Sequence, residues 1–193
     1  ESGAAPEARE LLTRFASVDS RIRLIDGSGT TTLAEKLNRC ILASRGSFIA
    51  RQDDDDTSMP DRFQRQIDFL ASHPAFCFVG CNVQFRQNGS AAGTSCFPEN
   101  PQIRDFLFTQ PFIHPTLVFR KDVLLHIGGY CEESRCDGCE DYDLLFRLYH
   151  AGYRGHTLEG VLFVYSLPDR GVRKRSWQMR RNEARTRYLL FKH

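Results

Sequence analysis

Asp53, Asp54, Asp55 and Asp56 stand in one unbroken row, between the apolar run Phe48-Ile49-Ala50 and Pro60. Adjacent carboxylates repel: a like pair about 4 Å apart costs ~1 kcal/mol in water and ~4 kcal/mol at a protein-like effective dielectric. A divalent cation removes that cost, and Mg²⁺ or Mn²⁺ prefers carboxylate oxygen together with water and phosphate. In an extended segment Asp53 and Asp55 point to one side and Asp54 to the other. The competing reading is a solvated acidic turn that caps the next helix through Asp56, Thr57 or Ser58. A second acidic group, Glu140-Asp141-Tyr142-Asp143, opens a helical pattern. The helix dipole favours carboxylates there in any case, but one of them beside a metal–nucleotide site can serve as a general base. Glu140 and Asp143 can share a helix face; Asp141 and Asp143 cannot.

The elements that must position these groups are readable from periodicity. Residues 6–17 are good helix formers with Leu11, Leu12 and Phe15 on one stripe. Residues 21–25 alternate as a strand does. Residues 31–44 read as a helix with Leu33, Leu37 and Ile41 turned inward. Pro60 sits where a helix over 62–70 tolerates it. Residues 76–85 are strongly strand-like, and Asn88-Gly89 is a hairpin turn with a return strand over 91–97. A short helix over 102–108 follows, then His114-Pro115 and a strand over 116–120, a helical turn over 123–127, a helix over 139–151 and a last strand over 161–165. Helices interleaved with strands give an α/β class, with the acidic row at a strand end, the usual ligand edge of an open sheet.

A chain of 193 residues, 41% hydrophobic and 26% charged, has material for one domain with a sizeable core. Its net charge of +2 is unevenly spread: residues 170–193 carry nine Lys/Arg against Glu183 alone, which leaves −6 for the first 169. The chain therefore divides into an acidic body, 1–169, and a basic tail, 170–193. In that tail Trp177, Ala184, Tyr188 and Phe191 recur at helical spacing. Such a helix either rests on anionic lipid headgroups or packs its stripe on the body. Nucleic acid is not expected, because no recognised motif accompanies the charge. No run reaches the ~20 apolar residues of a membrane span, and no signal peptide is evident. Seven cysteines without a disulfide-rich pattern suit reduced thiols in the cytoplasm.

Several chemistries fail on spacing. Ser58 occupies the glycine position of a calcium-binding loop and Gln64 its final glutamate position. Neither a phosphate-binding P-loop nor a Gly-x-Ser-x-Gly elbow is present. Gly27-Ser28-Gly29 starts like a dinucleotide fingerprint, but Thr32 replaces the third glycine. Cys136-x-x-Cys139 has no second pair at zinc spacing, and neither zinc nor redox use of it is supported.

As an ordered set, several blocks resemble family 2 glycosyltransferases over roughly residues 21–165. They are Leu37-Asn38, the run from Ala43 through Arg51 and Asp53 to Asp56, Pro60-Asp61-Arg62-Phe63, Val79-Gly80, His114-Pro115-Thr116, Gly128-Gly129-Tyr130, and Glu140-Asp141-Tyr142-Asp143 with Arg147 and Gly152-Tyr153. The resemblance implies a GT-A fold, a Rossmann-like mixed and mostly parallel sheet flanked by helices. It implies inverting transfer of a sugar from a nucleotide-diphosphate donor, UDP-sugars favoured, to a glycan or lipid-linked acceptor in bacterial polysaccharide synthesis. Asp53 and Asp55 match the family's DxD motif: Asp55 as the direct Mn²⁺ or Mg²⁺ ligand, Asp53 nearer the ribose or the metal. Asn38 and Arg51 fall in the donor-binding blocks. Asp141 matches the general base, Glu140 is its reserve, and His114 belongs to a recurring active-site block without an assigned role. The family's two opening strands have no counterpart, so the resemblance implies a domain shortened at its N-terminus by about 40 residues, one βαβ unit. Tyr165-Ser166-Leu167-Pro168 replaces a Tyr-Arg-x-His block. The rival reading is a non-catalytic or truncated module of the same fold that binds metal or nucleotide. The tail would place the protein at the inner face of the cell membrane.

Overall fold

The computed structural model describes residues 6–107, 109–167 and 176–192. The basic residues Arg170, Arg173, Lys174 and Arg175 of the expected tail lie outside them. Among the described residues six α-helices and six strands follow in this order: α1 Pro6–Val18, α2 Leu33–Ala43, β1 Phe48–Ala50, β2 Thr57–Ser58, α3 Arg62–Ser72, β3 Phe78–Gln87, β4 Ser90–Thr94, β5 Val118–Arg120, α4 Lys121–His126, α5 Glu140–His150, β6 Gly155–Ser166 and α6 Trp177–Lys192. The strands form one sheet in the order β1-β5-β3-β6-β2, with β4 on the free part of β3. The sheet is mixed, as expected, but among the described residues only β3 and β6 pair in parallel. The "mostly parallel" expectation is corrected accordingly. A parallel pair needs a long crossover, here the one carrying α4 and α5, whereas the Asn88-Gly89 hairpin imposes antiparallel pairing. Both hairpin residues have positive φ, 50° and 77°, as a two-residue primed turn requires.

The period of two along β3 and β5 divides the core into layers. Phe78 and Phe119 enter a large cluster with Leu145, Phe146 and Tyr149 of α5. Val79 and Val118 turn to the other face and meet Leu70 of α3. The sheet is thus covered by α3 on one side and α5 on the other. β6 begins at Gly155, earlier than its apolar run, because pairing with the buried β3 overrides the polar sequence Gly-His-Thr at its start.

Two expectations change. Residues 21–25 run as irregular chain, since none of the described strands lies alongside; the Arg23 guanidinium instead donates to the Ala43 carbonyl at the end of α2. And α6 packs on the body through polar groups, not through its aromatic stripe. Asn182 donates to the Ser134 carbonyl (3.0 Å) and Thr186 to that of Arg135 (3.3 Å), while Phe191 alone of the stripe meets the core, edge-on at Phe146. Trp177 is 80% exposed and Tyr188 65%.

Candidate active site

The acidic row is held at both ends. The Arg51 amide donates to the Leu117 carbonyl (2.8 Å) and continues the edge of β1. At the other end Ser166, closing β6, donates its amide to Asp56 Oδ1 (2.7 Å) and its hydroxyl to the Asp55 carbonyl (2.5 Å). Between them the chain turns at Asp54 and Asp55 rather than running extended. The turn leaves Asp54 exposed and gathers carboxylate oxygens of Asp53, Asp55 and Asp56 within 4.8 Å of one another. An extended strand would have sent Asp56 away with Asp54. Nor does Asp56 cap a helix: the N-cap of α3 is Asp61, without a side-chain cap bond.

The electrostatics of this turn favour a cation. Burial, with Asp55 and Asp53 adding, pushes the Asp56 carboxyl up to about 6. Burial also raises Asp53, against the pull of Arg51, which pairs with it. Asp56 Oδ2 is buried without a hydrogen-bond partner. Crowded negative charge, an orphaned oxygen and an all-oxygen donor set fit Mn²⁺ or Mg²⁺.

Beneath the turn lies Arg62, 0% exposed. All five of its N–H donors are used. Nη2 donates to the carbonyls of Arg51 (2.8 Å) and Pro115 (2.9 Å), Nη1 to Gln52 Oε1 (2.9 Å) and Ser58 Oγ (2.8 Å), and Nε to Gln66 Oε1 (3.0 Å). The guanidinium lies between the rings of Phe63 and Phe163, 4.7 Å from each centroid. Gln66 extends the lattice to the carbonyls of Val79 and Thr116. One side chain therefore fixes the residue before the acidic row and the residue after His114 in a single frame.

The facing wall is built from α5 and the His114-Pro115 turn. Asp141 Oδ2 accepts a hydrogen bond from Gln110 Nε2 (3.0 Å). His114 Nε2 lies 2.7 Å from the Tyr130 hydroxyl, with either group able to donate according to the imidazole tautomer. Burial pushes His114 down to about 4, against the opposing pull of Asp141, so the ring is neutral at pH 7. Burial likewise raises the Tyr130 hydroxyl and the Glu140 carboxyl. Asp53, Gln110, His114, Asp141, Tyr165 and Arg187 all line one cleft of about 520 Å³.

That cleft brings together Asp53, His114 and Asp141 from three separate stretches of sequence. Asp55 stands on the same acidic turn, and Arg51 pairs with Asp53 at the turn's start. Glu140 lies outside the cleft's lining. Asn38 is also elsewhere: its Nδ2 donates to the Tyr130 carbonyl (2.9 Å) and Glu132 Oε1 (2.8 Å), and its Oδ1 accepts from the Tyr130 amide (2.8 Å). It supports the residue that meets His114. Gly129, at φ 69°, has no room for a β-carbon against the Asn38 amide. Sequence reasoning missed Asp56, Gln110 and Arg187. Arg187 comes from α6, where its guanidinium lies 4.7 Å from the Tyr142 ring and binds Glu183 (2.8 Å). The tail thus contributes a wall to the cleft.

Comparison with known proteins gives a consistent picture. The sequence profile described as glycosyl transferase family 2 matches residues 2–128. EpsE of Bacillus subtilis is 31% identical over 84% of the chain, and the O-antigen biosynthesis glycosyltransferase WbnJ of Escherichia coli 29% over 87%. A solved mannosyltransferase of Pyrobaculum calidifontis, in complex with GDP-Man and Mn²⁺, superposes with a TM-score of 0.64 at 20% identity over 88% of the chain. That likeness bears out the GT-A fold. The chain spans 58% and 66% of the two relatives' lengths and 47% of the solved chain.

Proposed function

Because the chain belongs to glycosyl transferase family 2, we propose that it carries the reaction centre of an inverting transferase that moves a sugar from a nucleotide-diphosphate donor to a hydroxyl of a glycan or lipid-linked acceptor. The observation that carries this reading is the convergence of Asp53, from the acidic turn, and Asp141, from the start of α5, on one cleft. Asp141 takes the proton of the acceptor hydroxyl as its oxygen attacks the anomeric carbon from the face opposite the leaving diphosphate. Gln110, which donates to Asp141 Oδ2, orients that carboxylate, while Oδ1 accepts from the Tyr142 amide (2.8 Å). Asp55, Asp53 and Asp56 would hold the divalent ion, with Arg51 steadying Asp53. Bound there, Mn²⁺ or Mg²⁺ supplies positive charge against the departing diphosphate. Glu140 remains the reserve base, and Asn38 acts by holding Tyr130 against His114. The Mn²⁺ in the Pyrobaculum neighbour and the O-antigen role of WbnJ support the metal and the polysaccharide setting. UDP is the favoured nucleotide.

Calorimetry of UDP and of GDP binding, with and without Mn²⁺, tests the donor site. Metal-dependent binding is expected, and Asp55→Asn is expected to abolish it. Binding unchanged by Mn²⁺ or by Asp55→Asn would remove the metal role given to the acidic turn.

The outward face of α6 supports a second proposal. Trp177, Arg181, Arg185 and Tyr188 are all exposed along it. Aromatic rings at headgroup depth and cations on anionic phosphates are what an interfacial helix presents. No helix among the described residues is long and apolar enough to cross a membrane. We expect the chain to sediment with phosphatidylglycerol vesicles at low salt and not with phosphatidylcholine vesicles. Trp177→Ala with Tyr188→Ala should weaken the association severalfold; equal sedimentation by both variants and both lipids would dismiss the contact.

A further inference from the structure

The motif Cys136-x-x-Cys139 does not pair in space. Cys139 Sγ sits 3.7 Å from the Thr186 hydroxyl and 3.8 Å from the Arg135 carbonyl. Cys136 Sγ instead lies 2.7 Å from Cys131 Sγ, across a hexapeptide between Tyr130 and the start of α5. Both ends of that hexapeptide are anchored. Arg147 of α5 donates to the carbonyls of Ile127 (2.9 Å) and Gly129 (2.8 Å), and Asn38 holds Tyr130. At the far end Asn182 of α6 donates to the carbonyls of Ser134 and Asp137. The two sulfurs are therefore held together by contacts that neither of them makes.

Asp143 is the third group within reach, and the trio has the composition of a metal site. The geometry argues against that use. Two thiolates on one tetrahedral zinc, each about 2.3 Å from the ion, stand roughly 3.8 Å apart, well beyond the separation here. The Asp143 carboxylate is moreover engaged by Arg147 (2.6 Å) and flanked by Arg135 (3.5 Å). At 2.7 Å the two free thiols stand inside ordinary van der Waals contact and need to close by less than about 1 Å to reach the ~2.05 Å of a disulfide.

We propose that Cys131 and Cys136 are a modification site: a thiol pair that a small-molecule disulfide, such as oxidised glutathione, converts reversibly to an intramolecular disulfide. Cys131 is half-buried and reachable, while Cys136 is buried behind it. The Cys131 thiolate attacks one sulfur of the oxidant, whose S–S bond breaks and releases one thiolate. Cys136 then loses its proton and attacks Cys131 Sγ; the Sγ–Sγ bond forms and the second external thiol departs. Two protein thiols are oxidised and one external disulfide is reduced to two thiols. The closed loop would brace the segment between Tyr130, which meets His114, and the helix start that carries Asp141. This inference is independent of the proposed transfer reaction.

The test is to equilibrate the chain with oxidised and reduced glutathione, quench with acid, unfold, alkylate and map the peptides by mass spectrometry. Expected are linked Cys131 and Cys136 peptides, loss of both of these thiols whatever adducts form at the exposed Cys40 and Cys96, and full recovery of both with dithiothreitol. Cys136→Ser should arrest the reaction as a glutathione adduct on Cys131, and Cys131→Ser should leave Cys136 as a thiol. Glutathione confined to the exposed Cys40 and Cys96, with Cys131 and Cys136 unlinked, would overturn the proposal. So would stoichiometric zinc in the reduced chain that is lost in Cys131→Ser and in Cys136→Ser.

Discussion

Asp141→Asn is expected to lower turnover by about 10²- to 10⁴-fold, the usual contribution of a positioned general base, while leaving metal-dependent nucleotide binding within a factor of two or so. The substitution preserves shape, and an amide oxygen can still accept from Gln110 Nε2. What is lost is the capacity to take a proton from the acceptor hydroxyl. Asp141 stands on α5, across the cleft from the acidic turn between β1 and β2, so donor and base depend on different elements. Initial rates with a saturating donor, read beside calorimetric binding of the nucleotide, separate the two roles. If Asp141→Asn lost nucleotide binding as completely as Asp55→Asn, the division of labour would be wrong. If Asp141→Asn kept its rate and Glu140→Gln lost it, the base would be the neighbouring carboxylate.

Arg62→Met is expected to destabilise the fold by about 3–5 kcal/mol, because five neutral acceptors lose a charged donor at once and each unmet buried acceptor costs about 1–3 kcal/mol before any of them re-pairs. The aliphatic part of Met fills much of the space between Phe63 and Phe163, so packing is not the main loss. The carbonyls of Arg51 and Pro115 and the side-chain oxygens of Gln52, Ser58 and Gln66 each lose a donor. Buried acceptors left without donors carry their full desolvation penalty. Against a total stability of about 5–15 kcal/mol, that loss is large. Arg62→Lys should recover little, because an ammonium offers three donors at one point where a planar fork reaches five acceptors. Urea unfolding followed by circular dichroism measures the shift, with unchanged m showing that the two-state comparison holds. A change below about 1 kcal/mol would mean that water takes over the five acceptors.

Much of this architecture was legible because local and global signals agree. The alternation at Phe78-Val79 and Val118-Phe119, the Asn88-Gly89 turn and the stripe of α5 each specify a local shape that the sheet then uses. The candidate site was half legible. Asp53, Asp55 and Asp141 are visible as carboxylates in motifs, whereas Asp56 joins them only because the chain turns at Asp54, which strand alternation cannot foresee. Gln110 and Arg187 carry no local signal at all: they reach the cleft through the packing of a loop and a helix remote in sequence. Residues 21–25 show the reverse case, an alternating pattern without a strand alongside among the described residues. For α6 the misleading cue was hydrophobicity, since Asn182 and Thr186 bury against backbone carbonyls while Trp177 stays outside.

The outer border of β4 has a bearing on how this chain behaves in company. Ser90-Ala91-Ala92-Gly93-Thr94 is exposed along its whole length and pairs only with β3 among the described residues. A free strand border is a template on which another polypeptide can crystallise its own backbone, and long, flat, greasy borders nucleate aggregates. This one is a poor template. Its side chains are too small to zip, the register slips between Gln84 and Arg86, and Gly93 at φ 116° breaks the pleat. Concentrated solutions of the protein should accordingly stay free of fibrils at this border, and larger β-branched residues placed at Ala91 and Ala92 would erode that protection.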